Sequence, residues 1–253
     1  MRPETYRMLA AREDSYWWHR ARRAMSVALL QRCGVAHGGR WLDLGCGPGG
    51  NLALSEGFAP EITVGLDLSP IAIDLARRKQ PAARLVQADL SHALPFRDAS
   101  FDAVTVFNVL YHDWVRSEAA VVAVIARVLR SNGVLLITEP AFRILAREMD
   151  AAAMGHRRYR TDDVAHWCAA AGLRVERASY FTSFGFPLLL ALKAVRSGRN
   201  RNDTAEAVAA DMKPLNPLIN SAFLALSRAE GAAIVAGWRL SFGTTLISLA
   251  RKS

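Results

Sequence analysis

The stretch from Trp41 to Asn51 constrains the fold more than any other part of the chain, because four glycines lie within six consecutive positions. An apolar run, Trp41–Leu44, precedes the glycines, and a helical pattern begins at Leu52. Glycine permits positive φ and removes the Cβ atoms that would keep a ligand away from the backbone. The pattern predicts the strand, glycine turn and helix of a nucleotide-binding α/β fold, with N–H groups aimed at the ligand.

Acidic residues mark the ends of three predicted strands. Asp43 lies two residues before the first glycine, and the glycine spacing is G-x-G-x-G, unlike the G-x-G-x-x-G of dinucleotide-binding proteins. A second strand ends at Asp67, 24 residues after Asp43, and a third leads to Asp89. An acid at the end of the second strand can accept hydrogen bonds from both hydroxyls of a ribose.

Together these motifs resemble those of the class I S-adenosylmethionine (SAM)-dependent methyltransferases. Within that class, they are most similar to a group that acts on small molecules. The resemblance covers about residues 38–180, in order and with the correct spacing. The matching segments are Asp43–Gly49 for the first motif, Gly65–Ser69 for the second, Gln87–Asp89 for the third, and 101–104 and 127–137 for the fourth and fifth strands.

The resemblance implies an α/β fold with a Rossmann-like sheet of seven strands, mostly parallel, whose last strand is antiparallel. It implies SAM as the cofactor, S-adenosylhomocysteine as the product and no metal, and it assigns Asp89 to the adenine amino group. The expected cofactor-binding residues are Asp43, Gly45, Cys46, Gly47, Gly49, Asn51, Asp67, Leu68, Ala88, Asp89, Leu90 and Phe107.

The chain divides into a predicted N-terminal helical cap (1–37), the SAM-binding core (38–180), a helical insertion (181–238) and the last core strand (239–253). A single helix is predicted over Glu13–Gln31, because no proline or glycine interrupts it. We expect this helix to cover the cofactor pocket, with Tyr16 and His19 as acceptor-binding candidates. The alternative is a helix that only packs on the core.

The loop after the fourth strand is the predicted place of methyl transfer, because ligands of open α/β sheets bind at the carboxyl ends of the strands. Its catalytic candidates are Asn108, Tyr111 and His112. We favour His112 as a general base, since its ordinary pKa suits proton transfer near neutral pH. The alternative is a histidine that only orders the loop. Further acceptor-binding candidates are Glu139, His156 and Arg157.

The net charge of +9, from 32 basic and 23 acidic residues, leaves several classes of partner open. It suits nucleic acid, anionic lipid or an anionic acceptor, or reflects codon composition alone. Nucleic acid is disfavoured, because Asn108–Tyr111 lacks the two prolines of the enzymes that methylate base amino groups, which it otherwise resembles. The three cysteines lack the spacing of a metal site.

The sequence therefore predicts a methyltransferase whose acceptor is a small molecule, either anionic or apolar, such as a secondary metabolite or a lipid or glycan precursor. An RNA or protein methyltransferase and a SAM-binding protein that does not methylate are the alternatives. No run of 18 apolar residues and no signal-peptide pattern is found. We expect a cytoplasmic protein that does not span a membrane, while peripheral contact with one stays open; the oligomeric state is not predicted.

Overall fold

The computed structural model describes residues 3–90, 92–146, 154–155, 157–196 and 215–253. Its centre is a seven-stranded sheet in the order β3-β2-β1-β4-β5-β7-β6, with β7 antiparallel to both of its neighbours. The predicted fold class is therefore confirmed. The strands are β1 Arg40–Leu44, β2 Ile62–Asp67, β3 Arg84–Gln87, β4 Phe101–Phe107, β5 Leu129–Pro140, β6 Leu173–Phe181 and β7 Thr245–Lys252.

Helices cover both faces of the sheet, which explains why its central strands are apolar at nearly every position. Leu42 and Leu44 of β1 face one apolar cluster, whereas Trp41 faces the other. The helices are α1 Pro3–Arg12, α2 Trp17–Arg32, α3 Pro70–Lys79, α4 Glu118–Val128, α5 Thr161–Ala170, α6 Gly185–Arg196 and α7 Pro217–Ala236, and two 3-10 turns span Leu52–Phe58 and Arg143–Leu145.

The helix ends follow their local sequence. Ser69 begins α3 with a side chain that accepts from the Ala72 N–H, and Ser117 does the same for α4. Gly237 ends α7 with a φ of +119°, a left-handed conformation that glycine adopts without strain. These capping residues satisfy N–H and C=O groups that a helix leaves unpaired.

The helix predicted over Glu13–Gln31 is present but begins only at Trp17, and a separate helix, α1, precedes it across a break. Lys79 of α3 holds the break through ion pairs with Glu13 and Asp14. Tyr16 is extended there, with φ −74° and ψ 129°. These ion pairs join residues far apart in the sequence, so the local pattern does not encode them.

Two further boundaries differ from the sequence prediction. The helix expected from Leu52 is only a seven-residue 3-10 turn, which ends at the left-handed Ala59. The last strand, predicted within residues 239–253, begins only at Thr245. Before it, Gly243 packs so closely on β6 that a Cβ atom would lie 2.5 Å from the Phe181 carbonyl oxygen.

Helix α7 is the one helix in the described part of the chain that is long and apolar enough to cross a membrane. One of its faces packs on α2, where Gly231 gives room to Met25. A Cβ atom at Gly231 would lie 3.2 Å from the Met25 Cβ. This contact places the insertion directly over the N-terminal helices.

Candidate active site

A cavity of about 500 Å³ lies over the carboxyl ends of β1, β2 and β4. The sheet forms its floor, while the N-terminal helices and the start of α6 and α7 form its walls and roof. Of the predicted site residues it is lined by Tyr16, His19, Gly45, Cys46, Gly47, Asn51, Asp67, Leu68, Leu90, Phe107, Asn108, Tyr111 and His112.

The glycine loop is fixed by backbone bonds to the neighbouring strand. The N–H groups of Gly45 and Cys46 both donate to the Leu66 carbonyl, at 2.7 and 2.9 Å. Gly45 has a φ of +69°, and a Cβ atom there would lie 2.3 Å from Val109 Cγ2. Two constraints therefore require glycine at this position: its positive φ and the close approach of the β4 loop.

Asp67, at the end of β2, organises the next part of the floor. Its carboxylate accepts from the N–H groups of Gly47 and Ser69, both at 2.9 Å. The Tyr6 hydroxyl of α1 donates to it from above at 3.4 Å. Burial raises the pKa of Asp67, while the two backbone bonds lower it. Tyr6, which the sequence prediction missed, thus brings the N-terminal cap onto the expected ribose acid.

Asp43 lies below the loop and is 1% exposed. Its Oδ1 accepts from the Thr105 hydroxyl at 2.6 Å, whereas its buried Oδ2 has no partner among the described residues. Burial raises the pKa of Asp43 to about 7, against the opposing effects of the Thr105 bond and of the Arg22 charge. A buried carboxylate oxygen without a partner is a suitable neighbour for a ligand ammonium group.

Arg22 of α2 is the second residue that the sequence prediction missed. Its guanidinium donates to Asn51 Oδ1 at 2.9 Å and to Asn108 Oδ1 at 3.2 Å. It lies 4.5 Å from the Trp18 ring centre and 4.9 Å from that of Phe107. Burial lowers its pKa to about 10, so it stays charged at neutral pH. Its Nε has no partner among the described residues.

Nothing in the sequence distinguishes Arg22 from Arg20 and Arg23, since all three stand in one basic run. The fold makes the distinction by burying Arg22 while Arg20 is exposed. Asn108, its partner, has a φ of +56°, which asparagine tolerates better than most residues. The turn after β4 therefore directs an amide oxygen at a buried cation.

These residues fit SAM. Arg22 would hold the carboxylate of its methionine part and Asp43 the ammonium, each with a buried atom that lacks a partner. Asp67 would accept from the ribose hydroxyls, and Leu68 and Leu90 offer apolar walls for the adenine. Ala88 and Asp89 follow β3 beside this end, with Asp89 3.3 Å from His92 Nδ1. When bound, SAM supplies a methyl group that its sulfonium has already activated.

The β4 loop brings Tyr111 and His112 to the other side of the cavity. The His112 ring stacks on Trp114, with centroids 3.9 Å apart and an interplanar angle of 18°. Its Nδ1 lies 3.4 Å from the Met154 carbonyl oxygen. The adjacent Gly155 crosses Tyr111 so closely that a Cβ atom would lie 2.1 Å from its ring. Met154 and Gly155 therefore pack on this loop.

Glu139 lies under the same loop and does not line the cavity in the part of the chain that the structure describes. Its Oε1 accepts from the N–H groups of Val109 and Leu110, at 2.9 and 2.8 Å. Burial raises the pKa of Glu139 to about 8, although these backbone bonds lower it. This geometry gives Glu139 the task of positioning the β4 loop.

The remaining predicted residues have different environments. His19 is half-buried at the cavity wall, where desolvation and then the Arg22 charge lower its pKa well below the usual range. Arg157 is bound to Glu118 at 2.7 Å and to the Val115 carbonyl at 2.6 Å, while its neighbour Arg158 lines the cavity. His156 lies outside the described residues. No cluster of ligand side chains suited to a metal ion is found within the described ranges.

Known proteins support the assignment of this site. Residues 42–137 match the family described as a methyltransferase domain. The malonyl-[acyl-carrier protein] O-methyltransferase of Enterobacter lignolyticus is 34% identical over 181 residues, which cover 69% of each chain. The fatty-acid O-methyltransferase of Mycolicibacterium smegmatis is 42% identical over 106 residues, 40% of this chain and 37% of that one.

A solved methyltransferase structure has the same fold. A SAM-dependent methyltransferase from Mesorhizobium loti superposes over 95% of this chain and 100% of its own, with a TM-score of 0.59 and 18% identity. Several other curated relatives are spanned over only 43 to 52% of their length. The chain belongs to the class I SAM-dependent methyltransferases. The predicted family, enzyme class and cofactor are confirmed at that level.

Proposed function

We propose that the protein methylates a small-molecule acceptor, such as a secondary metabolite or a lipid or glycan precursor. The observation that carries this proposal is that one cavity joins the cofactor residues to His112 and Arg158. Its volume of about 500 Å³ is in the range of roughly 300–1,000 Å³ usual for small-molecule pockets. RNA, a protein and a role without methyl transfer remain the rival functions.

The acceptor part of the cavity is mostly apolar. Trp17, Phe184 and Phe223 form a cluster in which every pair of ring centroids is 5.4–5.8 Å apart. Leu188 and Leu189 of α6 continue the same wall. Such a wall excludes water and holds the acceptor in line with the sulfonium, an alignment that can be worth about 7–11 kcal/mol.

His112 is the proposed general base for an acceptor that must lose a proton. A carbonyl oxygen only accepts hydrogen bonds, so the 3.4 Å contact with Met154 favours the tautomer with its proton on Nδ1. The basic lone pair is then on Nε2, and the stacked Trp114 fixes the ring plane. This tautomer suits proton abstraction, which contributes roughly 10²–10⁴-fold to such reactions.

A carboxylate acceptor is the second candidate. Arg158 supports it, because this residue lines the cavity and is only 6% exposed. Two relatives support it as well, since they are named for O-methylation of malonyl-[acyl-carrier protein] and of fatty acids. A carboxylate has no proton to lose at neutral pH, so it needs a positioned cation and no base.

The test measures S-adenosylhomocysteine release with a panel of phenols and long-chain carboxylic acids. With a phenol, His112→Asn should lower turnover at least about tenfold while SAM affinity is unchanged. The matched control is His166→Asn, an exposed histidine on α5. Turnover that survives His112→Asn but fails with Arg158→Met would select the carboxylate acceptor. Absence of release with every acceptor would favour the rival functions. Location in the cytoplasm stays a prediction.

A further inference from the structure

Exposed apolar side chains lie at the opening of the cavity and on the elements next to it, α6, the Arg143–Leu145 turn and the start of α7. Leu188 lines the cavity and is 51% exposed, so it marks the opening. Leu192 follows one turn later on α6, and Lys193 joins α6 to the Arg143–Leu145 turn by donating to the Ile144 carbonyl at 2.8 Å. We call the exposed residues of these three elements the apolar rim: Ile144, Leu188, Leu192, Leu218 and Ile219.

Helix α7 extends this surface in an unusual way. Its buried residues, among them Leu224 and Ile234, lie on one side. A surface helix normally carries charged and polar residues on the opposite side. Here the opposite side is apolar as well as exposed, and its residues are Leu218, Ala222, Ala225, Leu226 and Ala229.

The charged residues within the three segments that carry the apolar rim are all basic. The sequence has no Asp or Glu in Ala141–Ala146, Gly185–Arg196 or Leu215–Ala229. Exposed Arg143, Lys193 and Arg228 lie in these same segments. Apolar side chains that share their segments with exposed cations complement a bilayer of anionic lipid, whose acyl chains and head groups offer the matching surfaces.

We propose that the apolar rim docks on an anionic lipid bilayer, so that the cavity opens toward the lipid. Leu188 belongs to both surfaces, and it makes the docked face and the cavity mouth continuous. An acceptor with an apolar tail then reaches the site directly from the bilayer. Docking itself needs neither cofactor nor methyl transfer, and its test is therefore independent of the proposed function.

The test is co-sedimentation of the whole chain with vesicles. The protein should pellet with phosphatidylcholine vesicles that contain phosphatidylglycerol, less with phosphatidylcholine alone, and less at high salt. The double variant Leu192→Glu/Leu218→Glu should lower the vesicle partition coefficient at least about tenfold, since it removes apolar contacts and adds charges that the lipid repels. Neither residue lines the cavity.

The matched control is Trp238→Glu, a residue 69% exposed just beyond the carboxyl end of α7, roughly 30 Å from Leu218 along the helix. It should pellet like the unaltered protein. Equal SAM affinity in all variants, by calorimetry, shows that each is folded. The proposal is overturned if the unaltered protein does not pellet with the anionic vesicles, or if Trp238→Glu loses as much binding. It is also overturned if the free protein is a dimer and the sole effect of the double variant is to dissociate that dimer.

Discussion

The two halves of the cavity are built by different means. The cofactor half is mostly backbone and strand-end acids, and its glycine loop and first two acids lie within one stretch of chain, from Asp43 to Asp67. The acceptor half is made of side chains from α1, α2, α6 and α7, which lie at opposite ends of the sequence. The first half can therefore be written as a local motif, whereas the second exists only after distant segments have packed.

Arg22 is where the two halves meet. It comes from the N-terminal cap, yet it binds Asn51 at the end of the glycine loop and Asn108 at the end of β4. The cap consequently serves as part of the cofactor site as well as its cover. Substitutions in each half can therefore separate what the two halves contribute to binding.

The largest effect should come from the loop itself, because its backbone leaves no room for change. Gly45→Ala combines a φ of +69° with a Cβ atom 2.3 Å from Val109. We expect it to lower the free energy of unfolding by about 2–5 kcal/mol, from left-handed strain and overpacking together. Urea denaturation measures this loss.

Gly38→Ala is the matched control, since its φ is +77° but nothing lies within 4 Å of a Cβ atom there. Backbone strain alone should lower the free energy of unfolding of this variant by about 1–2 kcal/mol. Equal losses at the two positions would mean that the approach of the β4 loop contributes nothing to the cofactor half.

The next effect separates the two ends of the cofactor. Asp67→Ala should weaken SAM binding by about 1–3 kcal/mol, because it removes a buried acceptor from the ribose end. Arg22→Gln should weaken SAM binding by a similar amount through the methionine carboxylate. Calorimetry with SAM and with 5′-methylthioadenosine, which lacks that carboxylate, distinguishes the two variants.

Asp67→Ala should weaken both ligands, whereas Arg22→Gln should weaken only SAM. Asp74→Ala serves as the control, because this exposed residue of α3 is bound only to Arg77. If Arg22→Gln reduced the affinity for both ligands equally, Arg22 would be a structural residue of the cap. The boundary between the two halves would then lie elsewhere.

The smallest effect concerns Glu139, which supports the acceptor side of the floor. Burial raises its pKa to about 8, so the folded state keeps a proton that the unfolded chain loses near pH 4.3, at about the ordinary pKa of Glu. This stabilising difference is complete below the unfolded pKa and disappears as the pH rises through the folded pKa. Stability should fall by at least about 1 kcal/mol between about pH 5 and pH 8.

Glu139→Gln should reduce this slope, and urea denaturation at several pH values checks it. Asp43, whose pKa burial raises to about 7, contributes with the same sign and should account for the slope that remains. A pH dependence identical to that of the unaltered protein would show that Glu139 is ionised in the fold. An ionised carboxylate would still accept the bonds from Val109 and Leu110, so the task of positioning the β4 loop would be unaffected.

Several parts of the fold were open to prediction because they rest on short-range rules. The glycine spacing, Ser69 with Pro70 at the start of α3, and Gly172 after α5 each act over a few residues. The break between α1 and α2 was not predictable, since it depends on Lys79 in a distant helix. Tyr6 and Arg22 were missed because their contacts also join residues far apart in the sequence.

The sequence by itself determined the strand-end acids and the turn of the cofactor half, because glycine conformation and strand polarity act through neighbouring residues. Tertiary structure alone decided which arginine is buried, where the cap breaks and which side chains surround the acceptor. These depend on contacts such as Arg22 with Asn108, 86 positions apart, and Trp17 with Asn220, 203 positions apart. Such contacts are selected by packing, which no local pattern encodes.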